Sequence, residues 1–297
     1  MRNRSDFVEQ QDLGAARVVA RIKPFIKWTG GKSKLISQLA PMLPAGYERL
    51  RWVQPFMGSA SLYFAWHPIP AVLADLNPDL VHTFCAVRDD VGTVLRSLRE
   101  MAADHRDAPE SYYLATRVAY NARLGTRAQR AAMFIYLNKT GFNGLYRVNN
   151  SGAFNVPFGK HDKFAPDETT LRSASARLAG VEIRHESFEV TLADVRRGDF
   201  VYLDPPYAPV SETARFTGYT TAGFTVEHQT RLRDMCRELG ARGVNFMLNN
   251  SDTPLVHELY AGFQIETVSR SGTMNSDGAK RGRVAEVVVR NYVGEPS

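Results

Sequence analysis

Three features of the 297-residue sequence predict an open α/β fold that holds a nucleoside at the carboxyl ends of its strands. FVYLDPPYAP, residues 200–209, runs an apolar strand into Asp204, two prolines and Tyr207. RWVQPFMGSAS, residues 51–61, sends a second strand into a turn of small residues that opens a helix. VLADLNPDL, residues 72–80, ends a third strand in Asp75, about 17 residues beyond Gly58. Open α/β sheets bind ligands at such strand ends, and an acidic residue roughly 20 positions after a glycine turn is the type that bonds ribose hydroxyls.

Composition sets the outer limits. With 44% hydrophobic and 23% charged residues the chain can bury the core of one large domain or two small ones. A formal charge of +6 favours an anionic partner such as nucleic acid. Cys85 and Cys236 give neither a disulfide framework nor zinc spacing, so no metal is expected. No apolar run approaches the ~20 residues of a membrane span, and residues 1–22 lack a signal-peptide core. A cytoplasmic protein with a flexible tail over residues 1–22 is expected, with no membrane partner.

The first organised piece is PFIKWTGGKSKLISQLAPMLP, where a glycine pair opens a helix whose apolar face is Leu35, Ile36, Leu39, Met42 and Leu43. Lys32 at a helix start is electrostatically unfavourable, which a bound carboxylate would explain. Gly31, Lys32 and Ser33 spell the end of a phosphate-binding loop, but Ile26 stands where that motif needs glycine, so the backbone cannot wrap a triphosphate. At Asp75 the ribose reading competes with a cap for the helix expected to begin near Pro78. Between Asp75 and Asp204 more than a hundred residues intervene, far beyond one crossover helix, so the sheet carries an insert. From Arg117 to Lys163 this insert has eight basic residues opposed by Asp162 alone, with aromatics interleaved, a composition suited to phosphates and bases. Met133, Phe134, Tyr136 and Leu137 follow a helical period and read as core. KTGFNGLYRVNNSGAFNVPFG, residues 139–159, has no such period and displays Phe142 and Arg147 on turns. The prolines after Asp204 end the last strand because neither can donate to a ladder.

In order along the chain, PFIKWTGGK, PFMGSAS, LADLNPDL, YLNKTGFNGLYRVNNSGAFNVPFG, YLDPPYAP and FTGYTTAGFTVEHQ resemble segments of the Dam family of DNA adenine N6-methyltransferases, the D12 class, alpha group. The resemblance runs from about Pro24 to Tyr292. It implies a Rossmann-like S-adenosylmethionine-dependent methyltransferase sheet formed by residues 23–83 and 180–297. It also implies an inserted, mostly helical DNA target-recognition domain with a β-hairpin over residues 84–179. The expected activity is methyl transfer from S-adenosylmethionine to N6 of an adenine flipped out of double-stranded DNA, in GATC, by a monomer or weak DNA-bound dimer.

The resemblance also assigns residues. Trp28 and Lys32 line the cofactor site, Phe56, Gly58 and Ser59 form its loop, and Asp75 bonds the ribose. Asp204 faces both cofactor and base. Because the adenine amino lone pair is delocalised into the ring, Asp204 and the Pro205 carbonyl would each accept an amino hydrogen and favour a pyramidal nitrogen. Pro206 stiffens the turn and Tyr207 stacks on the base. For DNA, Arg147 is placed on guanine, Leu145 and Pro157 on a thymine methyl, Phe142 in the gap left by the flipped base, and Lys27 on an outer guanine. Asn143 and Asn149 support base or phosphate contacts, and Lys160 sits at a variable position that leaves the flanking contacts open. Apart from the resemblance, the basic stretch NSDGAKRGRV reads equally as a mobile loop that offers Lys280 and Arg281 to phosphates or as a solvated hairpin tip. The family commonly has tyrosine at the position of Phe142, so a hydroxyl contact is lost here.

Other readings are distinguishable. A cytosine C5 enzyme needs a nucleophilic cysteine, usually after proline, whereas Phe84 and Met235 precede the two cysteines. A methyltransferase acting at another adenine site, on cytosine N4, RNA or a protein amide could share the acidic strand end, and a noncatalytic DNA-binding protein could keep the fold.

Overall fold

The structure, a computed structural model, describes residues 22–207, 224–271 and 283–293. Seven strands form one sheet: β1 Arg51–Gln54, β2 Ala71–Asp75, β3 Glu182–His185, β4 Asp199–Leu203, β5 Asn245–Ser251, β6 Gln264–Ser271 and β7 Arg283–Arg290. Their order is β3-β2-β1-β4-β5-β7-β6. The first five are parallel, and β7 lies antiparallel between β5 and β6. Parallel strands need cover on both faces, and the apolar runs of β1, β2 and β4 provide it. Alternate residues separate cleanly: Trp52, Leu73, Phe200 and Met247 pack on one face, and Val53, Val72, Val201 and Phe246 on the other.

Helices fill both layers. On the second face lie α7 Phe188–Ala193, α8 Val226–Ala241 and α9 Pro254–Leu259. The first face takes α2 Ser61–Trp66 and the start of α3 Pro78–Asp107. The sheet reverses direction between β1 and β4, so the loops leaving these strands diverge and open a crevice at their carboxyl ends. No helix of the described residues is long and apolar enough to cross a membrane.

The helix expected after Gly31 is broken. A 3₁₀ turn at Lys32–Lys34, a single α-turn α1 at Ile36–Leu39 and a second 3₁₀ turn at Ala40–Met42 replace it. Leu35, Ile36, Leu39 and Leu43 are still buried, while Met42 is only partly so. Pro41 in the last turn has no N–H to continue an α-ladder, and the shorter 3₁₀ pitch takes over there.

The insert is helical, built from the long α3 with α4 Pro109–Asn121, α5 Arg127–Thr140 and α6 Glu168–Leu178. The boundary expected between residues 83 and 84 falls inside α3, whose backbone instead breaks at Asp90, with φ −151° and ψ 60°. Phe134, Tyr136 and Leu137 of α5 are core, as their period predicts. The expected hairpin is reduced to a turn closed by isolated bridges, Gly141 to Phe158 and Val148 to Phe154.

Candidate active site

At the end of β4, Pro205 and Pro206 stop the ladder and leave Asp204 facing Lys32, which arrives from the first 3₁₀ turn. The Lys32 ammonium lies 2.6 Å from Asp204 Oδ1 and 2.8 Å from Oδ2, and donates to the Gly30 carbonyl at 2.6 Å. The carboxylate that Lys32 calls for is therefore supplied by the chain itself. A second acid, Glu286 of β7, has its Oε2 4.0 Å from the same ammonium and accepts the Tyr207 hydroxyl at 2.5 Å. Burial, then the Asp204 and Glu286 carboxylates, push the Tyr207 hydroxyl well above the usual phenol range, so it stays a donor. The ammonium also sits 4.8 Å from the Tyr207 ring centre, a cation–π contact. Lys32 is 2% exposed and Glu286 0%, whereas Asp204 is 19% exposed, so of these three charges Asp204 is the one open to a ligand.

The turn itself is held by residues that the sequence does not flag. Gln229 of α8 donates to the Pro206 carbonyl at 2.9 Å, and Asn250 of β5 donates to Gln229 at 3.1 Å. Gln229 and Asn250 are both buried, so this chain of amides fixes the Asp-Pro-Pro-Tyr backbone from below.

Across the crevice, Asp75 accepts the Gly58 N–H at 3.0 Å and the Asn77 N–H at 2.9 Å. The cap of α3 is Asn77, which accepts from Asp79 and Leu80, so the capping reading of Asp75 is not needed. Burial raises the Asp75 pKa, and the N–H groups of Gly58, Asn77 and Leu76 pull it back. Gly58 has φ +50°, and a Cβ there would meet the Trp28 ring at 3.0 Å, so the turn runs directly beneath the indole. Trp28 in turn stacks on Tyr146 at 5.5 Å. Phe56 stacks on Phe188 at 5.4 Å, and Ser59 is buried beside Gly31. Trp28, Lys32, Phe56, Gly58, Ser59 and Asp75 thus converge on the ends of β1, β2 and β4.

The loop after α5 is tied to this crevice. Asn138 accepts the Lys27 N–H at 2.8 Å and donates to the Lys27 and Gly144 carbonyls at 2.8 and 2.9 Å. Tyr146 bonds Asp79 at 3.2 Å, and Asp79 also takes Tyr120 at 2.6 Å and pairs with Arg123. Beyond these anchors the loop is open: Phe142 is 50% exposed, and Lys27, Asn143, Arg147, Asn149, Pro157 and Lys160 are exposed, with Leu145 half-buried. Arg147 is braced by Asn155, donating from Nε to Oδ1 at 2.7 Å and from Nη2 to the carbonyl at 3.1 Å. Asn149 spends its side-chain oxygen on the N–H groups of Ser151 and Ala153, which shapes the turn. Lys280 and Arg281 lie outside the described residues.

Several basic residues of the insert are committed internally. Arg123 and Arg130 pair with Asp79, Arg127 with Asp89, and Arg117 donates to the Val156 carbonyl. Lys139 keeps an ammonium whose pKa is lowered by burial and then by Lys27. Among the described residues no group of three His, Cys, Asp or Glu is arranged to hold a metal.

Gly144 tests how tightly the loop is seated. It has φ +65°, and a Cβ would come within 2.9 Å of Lys27 Cβ and 3.1 Å of the Asn138 carbonyl. Gly144→Ala is expected to cost roughly 1–3 kcal/mol through strain and overpacking and to weaken DNA binding more than cofactor binding. Thermal unfolding and separate titrations of each ligand check this, and an unchanged DNA affinity counts against a seated loop.

Sheet order and the acidic end of β4 place the chain among Rossmann-like methyltransferases. Comparison with known families makes the class specific: the description "D12 class N6 adenine-specific DNA methyltransferase" matches residues 28–274, and the chain belongs to that family. It is a site-specific DNA adenine methyltransferase, with DNA as substrate and a methyl donor as cosubstrate. It is 37% identical to the Type II methyltransferase M1.LlaDCHI of Lactococcus lactis subsp. cremoris, over 91% of this chain and 96% of that protein. It is 35% identical to the Type II methyltransferase M.MjaIII of Methanocaldococcus jannaschii, over 91% of this chain and 99% of the other. The DNA adenine methylase of Escherichia coli K12 is 34% identical over 90% of this chain and 94% of its own length.

Proposed function

We propose that the enzyme takes its methyl group from S-adenosylmethionine and places it on N6 of an adenine flipped out of duplex DNA at GATC. The observation that carries this reading is the partly exposed carboxylate of Asp204 at the switch point, facing a crevice whose other wall is the Asp75–Gly58 turn. Asp75, Gly58, Phe56 and Trp28 fit a nucleoside cofactor: a half-buried carboxylate held by backbone N–H groups, and a turn without a Cβ beneath an aromatic ring. When bound, S-adenosylmethionine supplies a methyl group already activated by sulfonium.

The chain's own residues supply orientation and charge. Asp204 and the Pro205 carbonyl accept the two amino hydrogens, which aims the nitrogen lone pair and offsets its developing positive charge. The proton leaves after nitrogen has become cationic, so Asp204 need not be a strong base. Tyr207, fixed through its hydroxyl, offers a ring to the base. Adenine N6 is inaccessible within a stacked duplex, and flipping costs a few kcal/mol. Phe142, which is exposed, fills the vacated stack in this reading, and Arg147, braced by Asn155, reads guanine. Methylating an unmodified plasmid with purified enzyme and mapping modified adenines at single-base resolution tests donor, target atom and site together. Modification outside GATC overturns the site assignment.

Asp75 gives a separate prediction. Ribose bonds supply ground-state binding, so Asp75→Ala is expected to raise the concentration of S-adenosylmethionine needed by roughly 10-fold or more while leaving the saturated rate within a few-fold. Cofactor titration at fixed DNA is the check. An unchanged requirement moves ribose recognition elsewhere.

A further inference from the structure

His105 of α3 is 1% exposed, yet both of its ring nitrogens are engaged across the fold. Nε2 lies 2.9 Å from the His161 carbonyl, 56 residues further on, and Nδ1 lies 2.8 Å from the Tyr136 hydroxyl of α5. A carbonyl only accepts, so Nε2 carries a proton to it, and the Tyr136 hydroxyl donates to Nδ1. The ring sits among aromatics, with the centres of Tyr136, Phe158 and Phe164 at 5.6, 6.3 and 6.1 Å. A phenylalanine would fill such a pocket without desolvating two nitrogens, so what the histidine adds is a bond to the segment that carries His161.

That segment continues directly from the exposed loop after α5. The Phe142 N–H donates to the Pro157 carbonyl and the Gly159 N–H to the Thr140 carbonyl, both at 2.9 Å, so residues 157–159 lie beside the start of the loop. Beyond them Lys160, Asp162 and Lys163 are exposed. Lys160 has φ +57°, a left-handed backbone that a non-glycine residue keeps only where its surroundings hold it. Among the described residues, the bond to His105 is the only hydrogen bond made by residues 160–164. One buried imidazole therefore fixes the middle of a turn that carries two lysines. Lys163 and Lys139 line one depression of about 250 Å³, with Asp167 opposing them, and Lys27 is near enough to Lys139 to add to the lowering of its pKa by burial. Ammonium groups from three segments thus gather beside the loop, where a duplex extending past its target offers backbone phosphates.

We propose that His105 is a positioning residue for the duplex: through the His161 carbonyl it holds Lys160 and Lys163 toward phosphates that flank the target site. The inference rests on the proposed reading of the loop after α5 as the DNA-facing one. It assigns His105 to duplex affinity, not to base choice or to chemistry.

His105→Phe fills the pocket and loses both bonds, whereas His105→Gln keeps a donor for His161 and an acceptor for Tyr136. Duplex titrations over a series of salt concentrations are expected to show His105→Phe binding roughly 2- to 10-fold more weakly, with the slope of log affinity against log salt shallower by about 1, the worth of one phosphate contact. His105→Gln is expected to stay close to wild type. The loss is expected to be equal on GATC and on a site with one altered guanine, while the S-adenosylmethionine requirement and the rate at saturating duplex stay within about 2-fold. A histidine that served stability alone would leave the salt slope unmoved, and an unmoved slope, or His105→Gln no better than His105→Phe, overturns the proposal. Lys160→Ala combined with Lys163→Ala tests the same claim without touching the core: it is expected to reproduce the shallower slope, and a wild-type slope there overturns the proposal even where His105→Phe does not fold. Adding His105→Phe to that pair is expected to weaken binding no further, and a fully additive loss makes His105 a general support of the insert instead. Arg147→Ala and Phe142→Ala run alongside keep the two ideas apart. Wild-type duplex binding and rate in both remove the reading of the loop, whereas impaired loop variants with unmoved salt slopes for His105→Phe and the lysine pair remove only the role of His105.

Discussion

Asp204→Ala is expected to lower single-turnover methyl transfer by at least roughly 10²–10³-fold while duplex affinity stays within a few-fold. The carboxylate lies at the strand end rather than on the exposed loop, so its loss is expected to act on the chemistry and not on phosphate contacts. The substitution has a second consequence at Lys32, whose ammonium loses the partner at 2.6 Å and keeps the Gly30 carbonyl, the Tyr207 ring at 4.8 Å and Glu286 at 4.0 Å. Removing one member of a buried pair costs about 3–5 kcal/mol, less to the degree that Glu286 moves in. Asp204→Asn retains an oxygen for Lys32 and should lose much less stability with a similar loss of rate. The pair is to be compared by thermal unfolding, duplex titration and a cofactor-saturated rate. Near-normal turnover in either variant refutes the assignment.

What was legible in the sequence lies where one local cause decides the outcome. The apolar runs before Gln54, Asp75 and Asp204 are buried parallel strands, and paired prolines stop the last of them. Asp75 and Gly58 meet as their spacing implies, because a strand, a turn and a helix fix the distance between them. Where partners come from far along the chain, the signal was absent or misleading. Lys32 does call for a carboxylate, yet the acceptor is 172 residues away. Glu286 bonds a tyrosine 79 residues earlier. The one available cue was an acid inside the apolar run RVAEVVV, which composition alone does not separate from an exposed position on an edge strand. Asn138, Gln229 and Asn250 are polar residues made structural by tertiary contacts, and no local pattern marks them. Part of the insert's basic charge is paired within the fold for a related reason: Asp79 sits on the first turn of α3, outside the stretch whose charges look unopposed, and pairs with both Arg123 and Arg130.

Arg147 is expected to carry most of the base discrimination. A guanidinium presents a planar pair of donors that match guanine O6 and N7, whereas adenine puts a donor where O6 would be. Such a reader has to be held still, and here Asn155 engages Nε at 2.7 Å and Nη2 at 3.1 Å, two of the five N–H donors of the group. The loop beneath is anchored by Asn138 and by the Tyr146 bond to Asp79, so the side chain projects from a fixed base. Arg147→Ala is therefore expected to slow methylation of GATC far more than methylation of a site with one altered guanine, shrinking the preference roughly 10- to 100-fold, the worth of one good bidentate contact. Arg147→Lys keeps the charge without the planar pair and should recover affinity but little of the preference. An arginine that touched only phosphate would help all sequences alike, and its loss would flatten the salt dependence instead. Initial rates on the two duplexes, for wild type and both variants at one salt concentration, separate these outcomes. Equal proportional slowing on both duplexes makes Arg147 a phosphate or structural residue and moves the reading of guanine to another side chain of the loop.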